Sequence, residues 1–314
     1  MPAVTALCIY PVKSLKGINV TSAPICETGF IWDRQWMITR PDGRFLTQRQ
    51  IPKMTLIVTS LPQEALSNEW GQVSPDAALT LNAPGMDPLH VPLKQSAPSE
   101  GELKQCTCWE WSGLARDEGE DAAKWLTEFL VKPVRLVRYV GQVSDGTAES
   151  NPKRRACEPE FGNGTETMFP DGYPYLLTTE SSLKDLNSKV DEPMDMNRFR
   201  ANIVIDDSVA PWEEDNWQSF TLGGAPDRAV TFHSLKPCSR CKVTTTNQET
   251  GAVGKEPLMA LGKYRSGKAL GWSAMGSWKH EVFFGWNLGA DSSGTIAVGD
   301  ELKVTRTRTA PMTA

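Results

Sequence analysis

The sequence predicts a β-rich α+β fold with two domains. At 314 residues, the chain is longer than a single hydrophobic core usually supports. Short runs with period-two alternation recur between turn signals, as is typical of β-strands, whereas helical spacing occurs in few segments. Many short strands with few helices indicate a barrel-like second domain.

The N-terminal half contains several strand-like runs. Val4, Ala6, Cys8 and Tyr10 alternate with mostly smaller or polar residues, which predicts a half-buried strand that stops at Pro11. Further strands are predicted around residues 36–39 and 54–59, with turn signals between them.

Two segments have helical spacing. The apolar residues between positions 122 and 130 predict an amphipathic helix over residues 120–131, whose apolar face covers a sheet. Thr179 predicts an N-cap for a short helix that places Leu183, Leu186 and Val190 on one face.

A polar stretch between Gly141 and Gly172 lacks any periodicity. Connections of this length usually have a function or join domains. We therefore expect an N-terminal domain at 1–140, a connecting loop at 141–170, a second domain at 171–309 and a tail at 310–314. In the second domain, strands are predicted at residues 201–205, 230–233 and 243–246, and a hairpin turn within 298–304 leads into a last strand.

Composition and charge exclude several classes of protein. The hydrophobic share of 39% and the charged share of 23% are ordinary for a globular protein, and the net charge of -5 argues against a general nucleic-acid binder. Seven cysteines form an odd set, and no signal peptide opens the chain, so we expect a cytoplasm-like, reducing compartment. Association with an organelle stays open if an N-terminal signal has been removed. No apolar run approaches the roughly 18 residues of a membrane span.

The segment Lys236-Pro237-Cys238-Ser239-Arg240-Cys241 is an unusual C-x-x-C motif. Redox motifs of this spacing usually start a helix that lowers the pKa of the first thiol. Here the β-branched run at residues 243–246 favours a strand instead. The motif therefore predicts a loop that precedes a strand and presents a thiolate among cations, which suits a soft metal better than disulfide exchange.

Zinc is the alternative for the cysteines. Cys106 and Cys108, with Cys157 or His233, would supply enough ligands, but their one-residue gap is shorter than that of familiar zinc sites. Cys8 and Cys26 are most simply packing residues.

Several polar groups follow or precede the predicted strands. Lys13-Ser14 after the first strand, Asp33-Arg34 and Arg200-x-Asn202 each offer cations or hydroxyls to an anion, although each is also typical of a solvated turn or a structural ion pair. Asp171 lies in a tight turn with Gly172 and Tyr173, where its carboxylate either acts as an acid or caps the backbone.

The order of these motifs resembles that of MOSC-domain proteins. The motifs are Tyr10-Pro11-Val12-Lys13-Ser14, Asp33-Arg34, Asp171-Gly172-Tyr173-Pro174, Phe199-Arg200-Ala201-Asn202 and the cysteine segment. Within that group, the chain is similar to the amidoxime-reducing components, which are molybdenum enzymes, and to their bacterial relative that carries a ferredoxin-like domain. The resemblance covers about Val4 to Val304.

The resemblance implies a MOSC β-barrel domain packed on an N-terminal, MOSC-associated β-rich domain. It also implies a molybdenum cofactor, with the metal held by a pterin dithiolene and by the thiolate of Cys241. The implied cofactor-binding residues are Lys13, Ser14, Arg34, Gly172, Tyr173, Arg200, Asn202, Ser239 and Arg240. Animal members of the family carry a Thr-Ser pair where this chain has Gly172-Tyr173, so we expect backbone N–H groups to substitute for the side-chain hydroxyls there. Asp171 is a candidate for proton handling, and Cys238 either packs beneath the site or tunes it.

The activity implied by the resemblance is reduction of N-hydroxylated compounds: amidoximes to amidines, with hydroxylamines, hydroxamic acids and nitrite as further substrates. The chain lacks the C-x₄-C-x₂-C pattern of a ferredoxin-like domain. Electrons would therefore come from cytochrome b5 and its NADH-dependent reductase, or from a flavin reductase. Three interpretations of Lys153-Arg154-Arg155 stay open: a docking patch for an acidic electron carrier, a border of the active-site entrance, or a solvated basic loop. The alternative function is a module that binds the cofactor or transfers its sulfur without reductase activity.

Overall fold

Strands dominate the computed structural model of the protein, which describes residues 1–67, 70–94, 102–140, 155–223, 229–273 and 276–308. In the first half of the chain, the strands are β1 (Val4–Ile9), β2 (Ile18–Val20), β3 (Ser22–Cys26), β4 (Gly29–Phe30), β5 (Trp36–Thr39), β6 (Val58–Ser60), β7 (Ala78–Asn82), β8 (Leu89–Pro92), β9 (Leu103–Cys108), β10 (Trp111–Asp117) and β11 (Arg135–Tyr139). In the second half they are β12 (Arg155–Ala156), β13 (Glu166–Thr167), β14 (Tyr175–Thr179), β15 (Ile203–Ile205), β16 (Trp217–Leu222), β17 (Val230–Ser239), β18 (Phe283–Ala290), β19 (Gly294–Ala297) and β20 (Leu302–Thr307).

Helices are short, except for one that packs against the N-terminal strands. The α-helices are α1 (Glu120–Leu130), α2 (Pro159–Gly162), α3 (Glu180–Asn187), α4 (Leu258–Tyr264) and α5 (Gly267–Leu270). The 3-10 helices are Pro52–Leu56, Gln63–Leu66, Trp70–Gln72, Met196–Phe199, Glu213–Asn216, Lys242–Thr245 and Gly276–His280. The β-rich α+β class predicted from the sequence is confirmed.

The largest sheet combines strands from both halves of the chain. Its eight strands lie in the order β2-β1-β15-β14-β18-β17-β16-β20, and only β14 and β15 pair in parallel. The smaller sheets are β5-β11-β10-β9, β19-β3-β4, β6-β7-β8 and β12-β13. Because β1 and β2 extend a sheet of later strands, the hydrophobic core also runs from Val4 to Leu302. The boundary at residues 141–170 stays a prediction, since residues 141–154 and the tail at 310–314 lie outside the described residues.

Both predicted helices are present. Helix α1 begins at Glu120 and buries five apolar residues, and it ends at Val131, which adopts a left-handed backbone with φ 55°. The Thr179 hydroxyl caps α3 by accepting a hydrogen bond from the backbone N–H of Ser182. The strand predicted at residues 36–39 is β5.

Strand β1 faces the core with residues that differ in part from those predicted. The sequence pattern grouped Val4, Ala6, Cys8 and Tyr10 on one face. Val4 and Tyr10 are buried, but between them the buried residues are Leu7 and Ile9 instead of Ala6 and Cys8. An irregularity between Val4 and Ala6 shifts the register by one residue, and a one-residue shift exchanges the two faces of a strand.

Four further expectations are wrong in detail. Residues 243–245 continue a 3-10 helix rather than forming a strand, and only Thr246 is extended, in an isolated bridge with Val253. A 3-10 helix also ends at Leu56, within the strand expected at 54–59, before β6 begins at Val58. The turn after Ala297 does not close a hairpin, because β19 pairs with β3 whereas β20 pairs with β16. Residues 155–170 contain β12, α2 and β13 rather than a loop alone. Among the described residues, no helix is long and apolar enough to cross a membrane.

Candidate functional site

A single cleft contains every site residue that the sequence predicted. Lys13 and Ser14 follow β1, Arg34 precedes β5, residues 171–173 precede β14, and residues 239–241 lie at the end of β17. Arg200 and Asn202 complete the predicted set just before β15. The described lining also includes Arg49, Trp109, Glu158, Lys236 and Cys238. Segments nearly 230 positions apart in the chain therefore meet in one place.

Backbone strain accumulates at this cleft. Ser14, Arg34 and Arg200 have φ values of 67°, 47° and 56°, a left-handed conformation that is uncommon for residues with a side chain. Local hydrogen bonds hold them there: the N–H of Arg34 donates to the Tyr10 carbonyl at 2.7 Å, and that of Arg200 donates to the Asn197 carbonyl at 3.2 Å. Strained backbone of this kind is often found at functional sites, where the surrounding structure compensates for it.

Tyr10 separates two of the cationic side chains. The guanidinium carbons of Arg34 and Arg200 each lie 4.2 Å from the centre of the Tyr10 ring, and the Tyr10 hydroxyl donates to the Ala201 carbonyl at 3.2 Å. Burial lowers the pKa of Arg200 to about 10, and the positive charge of Arg34 acts in the same direction. Arg200 nevertheless stays protonated at neutral pH, so this part of the cleft holds two closely spaced positive charges.

Asn202 holds the Arg34 side chain in place through hydrogen bonds. Its amide oxygen accepts from Arg34 Nη1 at 3.0 Å, while its amide nitrogen donates to the Cys8 carbonyl and to Asp33, both at 3.1 Å. Asp33 also accepts from Arg34 Nη1 at 2.6 Å. Both donors of the Asn202 amide are therefore used within the protein, and the residue acts by positioning Arg34.

Lys13 and Asp171 form an ion pair at the edge of the cleft. Lys13 is 3% exposed, and its ammonium donates to the Phe169 carbonyl at 2.7 Å and to Asp171 Oδ1 at 2.6 Å. Desolvation works to raise the pKa of Asp171, but the charge and hydrogen bond of Lys13, with the charges of Arg34 and Arg155, hold that pKa well below its usual range. Asp171 is therefore ionised at neutral pH.

The two thiols of the cysteine motif have different surroundings. Cys238 is half-buried, and its sulfur lies 2.7 Å from Arg240 Nη1, whereas Cys241 is exposed. Burial raises the pKa of Cys238, although the Arg240 charge opposes the effect. Strand β17 reaches Ser239 through an irregularity between Pro237 and Ser239, which aims the following residues into the cleft. Both thiols line the cleft, and Cys241 is the more exposed of the two.

Unpartnered donors make the cleft suitable for an anionic ligand. Arg200 Nη2, Arg240 Nε and the Tyr173 hydroxyl are buried without a hydrogen-bond partner, although such groups normally have one. The described lining also has more cations than carboxylates: Lys13, Arg34, Arg49, Arg200, Lys236 and Arg240 against Glu158 and Asp171. A bound anion with several acceptor atoms would satisfy both features.

The described residues contain no group of three or more His, Cys, Asp or Glu side chains that could hold a metal ion. Cys106 and Cys108 instead pack in an apolar cluster with Met37 and Trp111, and His233 pairs with Asp291 at 2.7 Å. A metal bound in the cleft would therefore need most of its ligands from a cofactor, with Cys241 as the protein ligand.

Sequence reasoning missed several residues of the site. Trp109 and Arg49 carry no local motif, and only the fold brings them to the cleft. The role of Tyr10 had a signal, since the residue begins the first motif. The hypothesis of a docking patch is wrong for Arg155, which is 2% exposed and donates to the Pro170 and Asp171 carbonyls. Lys153 and Arg154 lie outside the described residues.

Comparisons with known proteins agree with this geometry. The family model described as "MOSC N-terminal beta barrel domain" matches residues 1–133, and the one described as "MOSC domain" matches residues 164–303. The chain is 33% identical to "Mitochondrial amidoxime reducing component 2" of Bos taurus over 306 residues, which is 95% of this chain and 81% of that protein. It is 33% identical to the protein of that name from Homo sapiens, with coverage of 95% and 82%. It is 34% identical to "Mitochondrial amidoxime-reducing component 1" of Danio rerio, with coverage of 83% and 74%. Matches at this identity over most of both chains, together with the two family models, show that the protein belongs to the amidoxime-reducing component family of MOSC-domain proteins.

Proposed function

We propose that the protein is a molybdenum-cofactor oxidoreductase that reduces N-hydroxylated compounds, with amidoximes converted to amidines. Hydroxylamines, hydroxamic acids and nitrite belong to the same proposal as further substrates. The observation that carries it is the cleft itself, where an exposed Cys241 lies among cations whose buried donors lack partners. The names of the relatives support the N-reductive activity.

The residues of the cleft fit the cofactor. Its phosphate and pterin ring would be held by Lys13, Ser14, Arg34, Arg200, Ser239 and Arg240, with backbone N–H groups of Gly172 and Tyr173. Asn202 would act on the cofactor through Arg34, and the thiolate of Cys241 would be the protein ligand of the metal. When bound, the cofactor supplies the two electrons that break the N–O bond.

The reaction also consumes two protons, because an amidoxime with two electrons and two protons gives an amidine and water. Asp171 is ionised at neutral pH, so it cannot store a proton for donation as a general acid with a raised pKa could. We assign it two roles: it fixes Lys13, and its carboxylate, 72% exposed, orients the water that delivers protons to the site. The Lys13 ammonium then stays directed into the cleft.

The proposed electron donor is cytochrome b5 with its NADH-dependent reductase, or a flavin reductase. The curated relatives are named as mitochondrial proteins, and association with an organelle is part of the proposal.

Metal analysis and one assay test the proposal. Protein purified from a host that makes the cofactor should contain close to one molybdenum per chain and should reduce benzamidoxime to benzamidine with a reduced viologen or a b5-type donor. Cys241→Ser should abolish the activity, whereas Cys238→Ser should retain a substantial part of it, because the half-buried Cys238 thiol contacts Arg240 and Cys241 is the more exposed thiol of the cleft.

Three other outcomes would contradict parts of the proposal. The reverse pattern in the two cysteine variants would make Cys238 the metal ligand. Retained pterin without turnover would favour a module that binds the cofactor or transfers its sulfur. Stoichiometric zinc in place of molybdenum would exclude both functions.

A further inference from the structure

The hairpin between β9 and β10 places a tryptophan in the cleft. Cys108 pairs with Trp111, so Trp109 and Glu110 form the tip, and Trp109 has a φ of 56° despite its bulky side chain. Its indole N–H donates to Asp171 Oδ1 at 3.3 Å, and its ring lies 5.0 Å from that of Phe45. The side chain is 37% exposed, an arrangement that leaves part of a large aromatic surface open to a ligand.

Arg49 covers this tryptophan. Its guanidinium carbon lies 4.5 Å from the Trp109 ring centre, and its Nε donates to the Thr47 hydroxyl at 3.4 Å. A guanidinium stacked on an aromatic ring keeps the N–H groups at its edge free to bind a carboxylate in two-point fashion. The residue is exposed, so the pair lies where solvent and ligand enter.

Arg49 differs from the other cations of the cleft. Three of them have a carboxylate partner: Lys13 with Asp171, Arg34 with Asp33, and Lys236 with Glu158. Arg200 and Arg240 have buried, unpartnered donors that a cofactor would satisfy. Among the described cations that line the cleft, only Arg49 is exposed and forms no ion pair with a carboxylate. Its charge is therefore available to a second ligand.

We propose that Arg49 and Trp109 form the substrate-selecting wall of the cleft, and that this wall favours planar aromatic N-hydroxylated substrates carrying an anionic group. Trp109 contributes a face for the aromatic ring of the substrate, and Arg49 contributes the counter-charge for a carboxylate on that ring. The charge of Arg49, which the cofactor does not use, acts against cationic substrates. This inference rests on the proposed reductase function.

A set of three matched substrates tests the wall. The holoenzyme would be assayed with benzamidoxime, 4-carboxybenzamidoxime and 4-(aminomethyl)benzamidoxime. Because solvent screens an ion pair to an exposed arginine, kcat/KM should favour the carboxylate over the neutral substrate by about two- to fivefold. The cationic substrate should be the poorest.

Two variants test the roles of the residues. Arg49→Gln should bring the ratio of kcat/KM for the carboxylate substrate to kcat/KM for the neutral substrate close to one, mainly through KM. Trp109→Leu should raise KM for all three substrates.

Arg44→Gln is the matched control. Arg44 is an exposed arginine on the same connection, and it is not among the described residues that line the cleft. Its substitution should leave the ratio unchanged. A wild-type ratio near one, or a ratio that Arg49→Gln does not alter, would overturn the proposal.

Product binding separates this inference from the proposed function. Calorimetry would compare 4-carboxybenzamidine with benzamidine on wild-type and Arg49→Gln protein, without any turnover. If no substrate is reduced but the carboxylate still binds more tightly through Arg49, the reductase function fails and the wall stands. If all substrates are reduced and the two amidines bind equally, the wall fails and the function stands.

Discussion

At the scale of single residues, the cleft depends on side chains that hold its cations in place. The Tyr10 ring lies between Arg34 and Arg200, and Asn202 and Asp33 fix Arg34 from the other side. Two guanidinium groups repel each other unless an aromatic face or an anion lies nearby. The arrangement therefore prepares two positive charges for one anionic ligand before that ligand arrives.

Substitution of Tyr10 tests whether its ring holds Arg34 and Arg200 in position for the cofactor. Tyr10→Leu removes the ring, and because each cation–π contact contributes about 0.5–2 kcal/mol, cofactor affinity should fall by about tenfold or more. Tyr10→Phe keeps the ring and loses only the hydrogen bond to Ala201, so it should retain most of the cofactor. Pterin content after gel filtration, with a thermal melt to establish that each variant is folded, is the measurement. A folded Leu variant with full pterin content would refute the role of the ring.

The sequence identified the charged residues of the cleft but not how they are held. Lys13, Arg34 and Arg200 stand in short ordered motifs, which makes them visible in the chain. The left-handed backbones of Arg34 and Arg200 and the fully hydrogen-bonded amide of Asn202 depend on contacts between distant segments, such as that of Asn202 with Cys8. No local pattern encodes such contacts, and the same holds for Trp109 and Arg49.

At the scale of elements, helix α3 begins beside a buried carboxylate. The Ser182 hydroxyl donates to both oxygens of Glu214, at 2.7 and 2.9 Å, and Thr179 donates to one of them at 3.3 Å. Burial and the nearby charge of Asp215 raise the pKa of Glu214 to about 7, against the lowering effects of Ser182 and Arg265. The start of α3 therefore contains a titrating group far from water.

This group predicts a pH-dependent stability. The pKa of Glu214 is about 7 in the folded protein and 4.5 in a flexible chain, so the folded state binds the proton more tightly. The free energy of unfolding should thus fall as pH rises from 4.5 to 7, by about 3 kcal/mol at most. Glu214→Gln should be more stable than wild type at pH 8 and similar to it at pH 5, as measured by urea unfolding. The exposed Glu301→Gln should show no such difference, and an equal gap for Glu214→Gln at both pH values would contradict the prediction.

Element types followed the sequence where hydrophobic periodicity supported them, as in α1, and failed where residue type alone was the signal. Residues 243–246 are β-branched, yet residues 243–245 continue a 3-10 helix from Lys242. The hydroxyls of Thr244 and Thr245 donate to the carbonyls three residues earlier, at 2.9 Å each, which stabilises a tight turn over an extended strand. This turn is what keeps Cys241 at the surface of the cleft rather than inside a sheet.

At the scale of the whole molecule, the two matched family regions share one sheet and one core. Strand β1 lies between β2 and β15, and Leu7 pairs with both Val20 and Ile203. Periodicity reveals that a strand exists but not its partner, so this pairing was not predictable from one sequence. Because the residues that line the cleft come from both regions, the cleft forms only when both are folded together.

Cooperative unfolding follows from this shared core. Leu7 is 1% exposed, so Leu7→Ala should cost about 2–5 kcal/mol. Far-UV circular dichroism and tryptophan fluorescence should report one transition with a common midpoint, lowered equally for both probes, since buried tryptophans lie in both regions, at Trp36 and Trp286. Leu103→Ala, at a leucine that is 40% exposed, is the matched control and should change the midpoint little. Two separate transitions, with only one moved by Leu7→Ala, would mean that the N-terminal region folds independently and that the cofactor joins two bodies rather than binding to one.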